Sequence, residues 1–233
     1  MQNLKRISNI TVLRPNEYFT KISKLIIKVL LQDLKSKGSC SIMLTGGKSA
    51  EFLYISLSKL EEFSKLDRVT FYFGDERCVS PEDAESNYKL AMRTLFQSGI
   101  PTGCEVIRMS GEEIDCHKAA KEYADQLPEC IDLLLLSVGE DGHIASLFPY
   151  DELLFESKQK VLPVYAPKKP FKRLTITPIV IKQASKIFVL AQGSKKAAVL
   201  LRARKIKQQD FFSLPARLVL NAIWFLDCNV EIE

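Results

Sequence analysis

The sequence predicts an α/β fold, with a mostly parallel β-sheet flanked by helices. Three observations predict it. Short β-branched or apolar runs alternate with segments of helical apolar spacing along the chain. One run, residues 131–138, is apolar almost without a break, as in a strand covered on both faces. Four glycine-rich or charged loops, at 45–49, 74–79, 139–143 and 192–196, directly follow strand candidates. Ligands bind at that end of a parallel sheet.

Taken in order, residues 10–13 are the first strand candidate. A helix follows Pro15: Phe19, Ile22, Leu25, Ile26, Val29, Leu30 and Leu34 recur at helical spacing, and Gly38 is its terminator. A strand at 41–44 runs into Thr45-Gly46-Gly47-Lys48-Ser49, and a helix continues through Phe52, Leu53, Ile55 and Leu60. Residues 69–73 are β-branched and aromatic, hence a strand, and Gly74-Asp75-Glu76-Arg77 reads as the charged loop after it. A helix at 87–97, a short strand at 105–107 and a helix at 118–127 lead to the apolar strand at 131–138. That strand empties into Gly139-Glu140-Asp141-Gly142-His143. Strands at 173–176 and 186–191 bracket a helix opened by Thr177 as cap and Pro178 at the first helical position. Gly193 opens a helix over 194–204, and 222–226 is the last strand. No repeat, low-complexity tract or flexible linker interrupts the pattern, so residues 1–233 read as a single domain.

Composition narrows the class. The chain is 46% hydrophobic and 26% charged, as globular proteins are. No apolar stretch is long enough to span a bilayer. Residues 1–9 carry Lys5 and Arg6 but lead into no apolar signal core. The expectation is a cytoplasmic protein without a membrane partner. A net charge of +5 mildly favours an anionic ligand. The basic run Lys195, Lys196, Arg202, Arg204, Lys205 and Lys207 has no interleaved aromatic residues, so it reads as a solvated face and no nucleic acid is expected. Six cysteines show neither metal-knuckle nor redox spacing, and His117 and His143 are the only histidines. No zinc site is expected, and the thiols read as free, as in a reducing compartment. The chain is expected to act as a monomer or, at most, a weak homo-oligomer.

Four constellations carry chemistry. In Gly139-Glu140-Asp141-Gly142-His143 the glycines let the backbone approach a ligand, and a histidine at the cleft rim can take a proton from water near neutral pH. A lone histidine is more often satisfied by local hydrogen bonds; two acids and two glycines at a strand end favour the functional reading. Thr45-Gly46-Gly47-Lys48-Ser49 offers backbone N–H groups and a helix N-terminus to a phosphate, or is a plain tight turn. Arg77 offers its planar fork to phosphate or an oxyanion, or pairs with Asp75 or Glu76. Gly193-Ser194-Lys195-Lys196 brings an ammonium and a helix start to the same anion, or is a solvated lysine pair.

At these residues the chain resembles the 6-phosphogluconolactonase family, within the wider glucosamine-6-phosphate isomerase/deaminase superfamily. Gly74-Asp75-Glu76-Arg77-Cys78-Val79 with Ser86-Asn87-Tyr88 resembles a DERxV…SNY segment. The stretch Gly139-Glu140-Asp141-Gly142-His143-Ile144-Ala145-Ser146-Leu147-Phe148-Pro149 resembles the GxDGHxASLFP signature. Arg173-Leu174-Thr175 resembles RxT, Gly193 with Lys196 resembles GxxK, and Trp224-Phe225-Leu226-Asp227 resembles WxxD. The motifs run from 45 to 227. Two departures stand out: Thr45-Gly46-Gly47-Lys48-Ser49-Ala50 replaces SGGSTP, and Cys228-Asn229-Val230-Glu231 replaces a small-residue helix.

The resemblance implies a Rossmann-like fold and hydrolysis of a phosphorylated sugar lactone without metal or cofactor. By motif match, His143 is the base, with Asp141 and Arg77 beside it. Gly46, Gly47, Asp75, Gly142, Arg173, Gly193 and Lys196 form the expected substrate-binding set; Lys48, the departure from the family loop, reaches phosphate or points to solvent, and Arg77 or amides near Gly142 or Gly193 hold the oxyanion. The sister isomerase/deaminase carries tyrosine at the Arg77 position and a Phe-Asn-Glu-Pro continuation whose carboxylate partners the histidine; here Ser146-Leu147-Phe148-Pro149 offers none. A sugar-phosphate sensor of transcriptional regulators needs a DNA-binding domain, for which the resemblance leaves no room. A serine or cysteine hydrolase lacks its Gly-x-Ser-x-Gly elbow. Cys78 does lie beside Arg77, whose charge favours a thiolate, but no activating histidine is near it in sequence.

Overall fold

The computed structural model describes residues 9–227, apart from the side chains of residues 208 and 209. Lys5, Arg6 and the departure at 228–231 lie outside the described residues. Strand β1 (Ile10–Val12) leads to helix α1 (Tyr18–Lys37), whose apolar stripe of Ile22, Ile26, Val29 and Leu30 is buried. Gly38 ends α1 at φ 82°, returning its N–H to the Leu34 carbonyl at 2.9 Å, while Lys35 and Lys37 complement the negative end of the helix. Next come β2 (Cys40–Leu44), α2 (Lys48–Ser58), α3 (Glu61–Ser64), β3 (Val69–Phe73), β4 (Asp75–Arg77), α4 (Asn87–Thr94), β5 (Glu105–Val106), α5 (Cys116–Gln126) and β6 (Leu133–Ser137). The chain closes with β7 (Val161–Tyr165), β8 (Lys172–Ile176), α6 (Pro178–Gln183), β9 (Lys186–Ala191), α7 (Ser194–Lys205) and β10 (Ile223–Leu226).

Seven strands form a wholly parallel sheet in the order β1-β10-β9-β6-β2-β3-β5. Strand β6 lies near its centre, and Leu133 to Leu136 are all fully buried. Their side chains alternate: Leu133 and Leu135 join the core under α1 to α4, Leu134 and Leu136 the core under α5 to α7. The two-sided burial read from residues 131–138 is therefore borne out. After β2 the chain builds outward through β3 to β5, then returns to β6 on the other side of β2. The strand order thus reverses between β2 and β6. The crevice at their carboxyl ends is where such a sheet receives ligands.

A second sheet departs from the sequence expectation. Asp75–Arg77 is not loop but strand β4, paired antiparallel with β8, and β8 pairs antiparallel with β7. Strand β8 was expected, but as part of the parallel sheet. Strand β7 went unread because Pro163 interrupts its apolar run; proline is tolerated because β7 is an edge strand. Helix α4 ends at Thr94, short of 97, where Phe96 N–H folds back onto the Ala91 carbonyl at 3.0 Å. Among the described residues no helix is long and apolar enough to cross a membrane.

Candidate active site

Four neighbouring strands, β9, β6, β2 and β3, deliver their carboxyl ends to one cleft of about 500 Å³. Nine of the eleven candidate residues line it: Gly46, Gly47, Lys48, Asp75, Arg77, Asp141, His143, Arg173 and Lys196. Gly142 and Gly193 do not.

The loop after β6 is wound so that His143 faces the cleft. Gly139 N–H donates to the His143 carbonyl at 2.9 Å, and Gly142 N–H to the Gly139 carbonyl at 3.0 Å. Gly142 sits at φ 92° with Leu214 against its α-carbon, so only glycine makes this turn. The His143 ring lies 4.8 Å from the Phe148 ring, and Nδ1 stands 2.5 Å from Asp141 Oδ1. An ionised carboxylate only accepts, so the neutral ring carries its proton on Nδ1 and offers the Nε2 lone pair. Among the described residues Nε2 has no hydrogen-bond partner. Burial pushes the Asp141 carboxyl up, but the hydrogen bond and charge of His143 outweigh it and hold the group at about 2. The other histidine, His117, is exposed in the first turn of α5 and outside the cleft.

The DER and SNY segments interlock beneath the opposite wall. Buried Glu76 accepts backbone N–H groups of Arg77, Asn87 and Tyr88 at 2.7–2.8 Å and the Ser86 hydroxyl at 3.1 Å, which ties β4 to the start of α4. Buried Asp75 accepts the Ser146 hydroxyl at 2.6 Å and the Asn87 amide at 3.2 Å. Asn87 in turn fills the space beside Gly46, where a β-carbon would come within 2.1 Å of its Oδ1. That contact explains Gly46. Tyr54 clamps the loop entrance, accepting from Thr45 N–H at 2.9 Å and donating to its carbonyl at 2.6 Å.

Each cation has a distinct setting. The Arg77 side chain pairs not with Asp75 or Glu76 but with Glu85, whose carbonyl accepts from Nη1 at 2.6 Å. Its Nε is buried without a partner, and Nη2 makes no hydrogen bond, among the described residues. Lys196 reaches from the first turn of α7 to Ser137 Oγ at 3.3 Å; burial, then Lys168, lowers its ammonium below the usual lysine range, against the pull of Glu140. Its neighbour Lys195 pairs with Glu140 at the surface, so only one lysine of that pair faces the cleft. Lys48, the departure in the glycine loop, is exposed on the cleft wall with no ion pair among the described residues.

Two expectations change. Gly193 N–H donates to Asp227 Oδ1 at 2.7 Å and Gly142 N–H is spent within its own turn, so neither amide is open to an oxyanion. The Gly193–Asp227 bond also gives WxxD its purpose: it fixes the start of α7. Cys78 is not activated by Arg77; burial and the adjacent Cys116 thiol, 3.7 Å away, push it up to about 12.

Residues 14–224 match the family described as glucosamine-6-phosphate isomerases/6-phosphogluconolactonase. The chain belongs to this family. It is 38% identical to the 6-phosphogluconolactonase of Homo sapiens over 70% of this chain and 67% of that one. It is 33% identical to that of Bos taurus over 91% and 88%. The crystal structure of a 6-phosphogluconolactonase from Shewanella baltica superposes with a TM-score of 0.84, covering 95% of this chain and 98% of that one at 21% identity, which speaks for the fold.

Beyond the eleven candidate residues, Thr45, Ser137, Val138, Gly139, Glu140, Ala145 and Lys168 also line the cleft. Most are neighbours of motif residues and follow from them. Lys168 does not. It arrives on the turn between β7 and β8, and with β7 unread no strand end pointed to it.

Proposed function

We propose that the protein hydrolyses 6-phospho-D-glucono-1,5-lactone to 6-phosphogluconate, the lactone-opening step of the oxidative pentose phosphate pathway, with His143 activating water. The observation that carries the reading is the His143–Asp141 pair: Nδ1 is committed to a carboxylate and Nε2 is open to the cleft. Neutral His143 takes a proton from water through Nε2 as the water oxygen bonds to the lactone carbonyl carbon. Asp141, acceptor only, keeps the ring in that tautomer and stabilises the imidazolium that forms. Arg77, which lines the cleft, takes the oxyanion. As the ring C–O bond breaks, the imidazolium returns the proton to the leaving oxygen, and the new carboxylic acid ionises into solvent. A base of this kind contributes about 100- to 10,000-fold and one oxyanion donor about 100- to 1,000-fold. A δ-lactone is already electrophilic, so no covalent enzyme intermediate is needed.

The remaining cleft suits an anionic sugar: Lys48, Lys196 and the uncapped N-terminus of α2 at Gly47 supply positive charge. Support for hydrolysis over the sister deamination comes from position 77, an arginine, and from 146–148, which bury a hydroxyl and apolar side chains where the sister enzyme places a carboxylate. The relatives' names point the same way. The test is acid release from freshly made 6-phosphogluconolactone above the spontaneous background. His143→Ala should remove most of that release with the fold intact; near-normal turnover refutes the role, and ammonia release from glucosamine 6-phosphate by the wild type refutes the reaction.

A further inference from the structure

We infer that Lys168 is a contact for the substrate phosphate, held in place by a buried Arg173 that does not itself bind substrate. This rests on the reading of the cleft as a phosphorylated-lactone site, and it divides labour between two residues that sequence reasoning either missed or assigned directly to the ligand.

Arg173 is 3% exposed, and each of its three guanidinium nitrogens donates within the protein. Nε donates to the Pro170 carbonyl at 2.9 Å, Nη2 to the Lys168 carbonyl at 3.3 Å and Nη1 to Ser146 Oγ at 3.4 Å, while the group lies 5.6 Å from the centre of the Phe148 ring. Two of those acceptors are carbonyls of one turn, 166–171, that joins β7 to β8. The turn is closed at its neck by Ala166 N–H to the Phe171 carbonyl at 2.6 Å and by Tyr165 stacked on Phe171, ring centres 5.4 Å apart. Arg173 therefore works as a brace under a short, closed loop.

That loop carries Lys168 to the cleft wall, exposed, with no ion pair among the described residues. Lys168 lines the same cleft as Asp141 and Lys196. Two ammonium groups facing one cavity repel each other, and a dianionic phosphate between them relieves that repulsion. An ammonium on a flexible stem is suited to a phosphate as a point charge. The fixed fork of Arg77 is suited to the reaction centre.

The experiment compares two lactones. Lys168→Gln should raise KM for 6-phosphogluconolactone at least about 10-fold with kcat within about 3-fold, and leave hydrolysis of unphosphorylated glucono-1,5-lactone unchanged. Lys168→Arg should recover most of the loss. Arg173→Lys, which keeps the charge but loses the two carbonyl bonds, should show the same substrate-selective KM rise. An unchanged KM in Lys168→Gln, or equal losses on both lactones, overturns the assignment. Should the wild type hydrolyse neither lactone, the proposed reaction fails separately. Calorimetric binding of 6-phosphogluconate to wild type and Lys168→Gln then decides the contact alone: weaker binding in the variant supports it, equal binding overturns it.

Discussion

Gly139→Ala is the sharpest probe of the site, because the structure makes the outcome a matter of distance. Gly139 adopts a backbone conformation open to any residue, so alanine brings no φ penalty. Its added methyl, however, would lie 2.1 Å from His143 Nδ1, 2.2 Å from Cε1 and 2.6 Å from Asp141 Oδ1. Ordinary contact begins near 3.4 Å, so the ring must retreat by about 1.3 Å. The retreat also strains the 2.5 Å bond that sets the tautomer. A displacement of about 1 Å at a reacting group costs on the order of 100-fold in rate. The expected result is kcat reduced about 100-fold with KM within a few-fold, because the cations are untouched. The melting temperature should stay within about 3 °C of wild type, corresponding to roughly 1 kcal/mol for a chain of this size. Initial rates of acid release on fresh lactone and a thermal melt suffice. A Gly139→Ala enzyme with kcat within threefold of wild type would mean that the position of the imidazole is immaterial, and the proposed base would have to be abandoned.

Two more predictions follow from the same geometry. Asp141→Asn keeps the size of the partner but removes its charge; losing a charge-assisted hydrogen bond worth roughly 1.5–3 kcal/mol should lower kcat about 10- to 100-fold. The sign with pH is set by the depressed carboxyl: the pair's contribution to stability is complete above the ordinary aspartate range near 4 and fades as pH falls through about 2. Because Asp141 is 45% exposed, solvent screens this effect, and differential scanning of wild type against Asp141→Asn should show a small wild-type advantage that shrinks as pH falls below about 4. Among the described cysteines, thiol alkylation near pH 8 should label exposed Cys130 first and leave activity intact, since burial pushes Cys78 up to about 12 and Cys40 likewise up to about 12. Activity lost in step with mass-detected labelling of Cys78 would restore the cysteine mechanism.

The sequence made the parallel sheet legible because its strands announce themselves locally. An apolar run that ends in a glycine loop, as at 131–143, needs no knowledge of the rest of the chain. It also made the main cleft residues legible, because strand-end loops converge whenever their strands are neighbours, and β9, β6, β2 and β3 are neighbours. The second sheet was hidden for a physical reason. Asp75-Glu76-Arg77 has no β-branched or apolar residue, and it becomes a strand only because β8 supplies its ladder and Glu76 finds four donors. Such a strand is made by its partners, and no window of sequence contains them.

The same distinction explains why role was harder to read than position. Arg173 and Lys168 are both basic residues on one hairpin, and by residue type the arginine is the better phosphate ligand. What separates them is accounting of donors. The three nitrogens of Arg173 have acceptors within the protein, whereas Lys168 and one edge of Arg77 do not. A buried cation with each nitrogen bonded to the protein is suited to the scaffold; an exposed one sharing an open cleft with a like charge is suited to an anion. Hydrogen-bond satisfaction, which only the folded chain reveals, therefore sorts these cations more reliably than charge or motif membership. It makes the substrate-selective loss expected of Lys168→Gln the measurement on which that sorting stands.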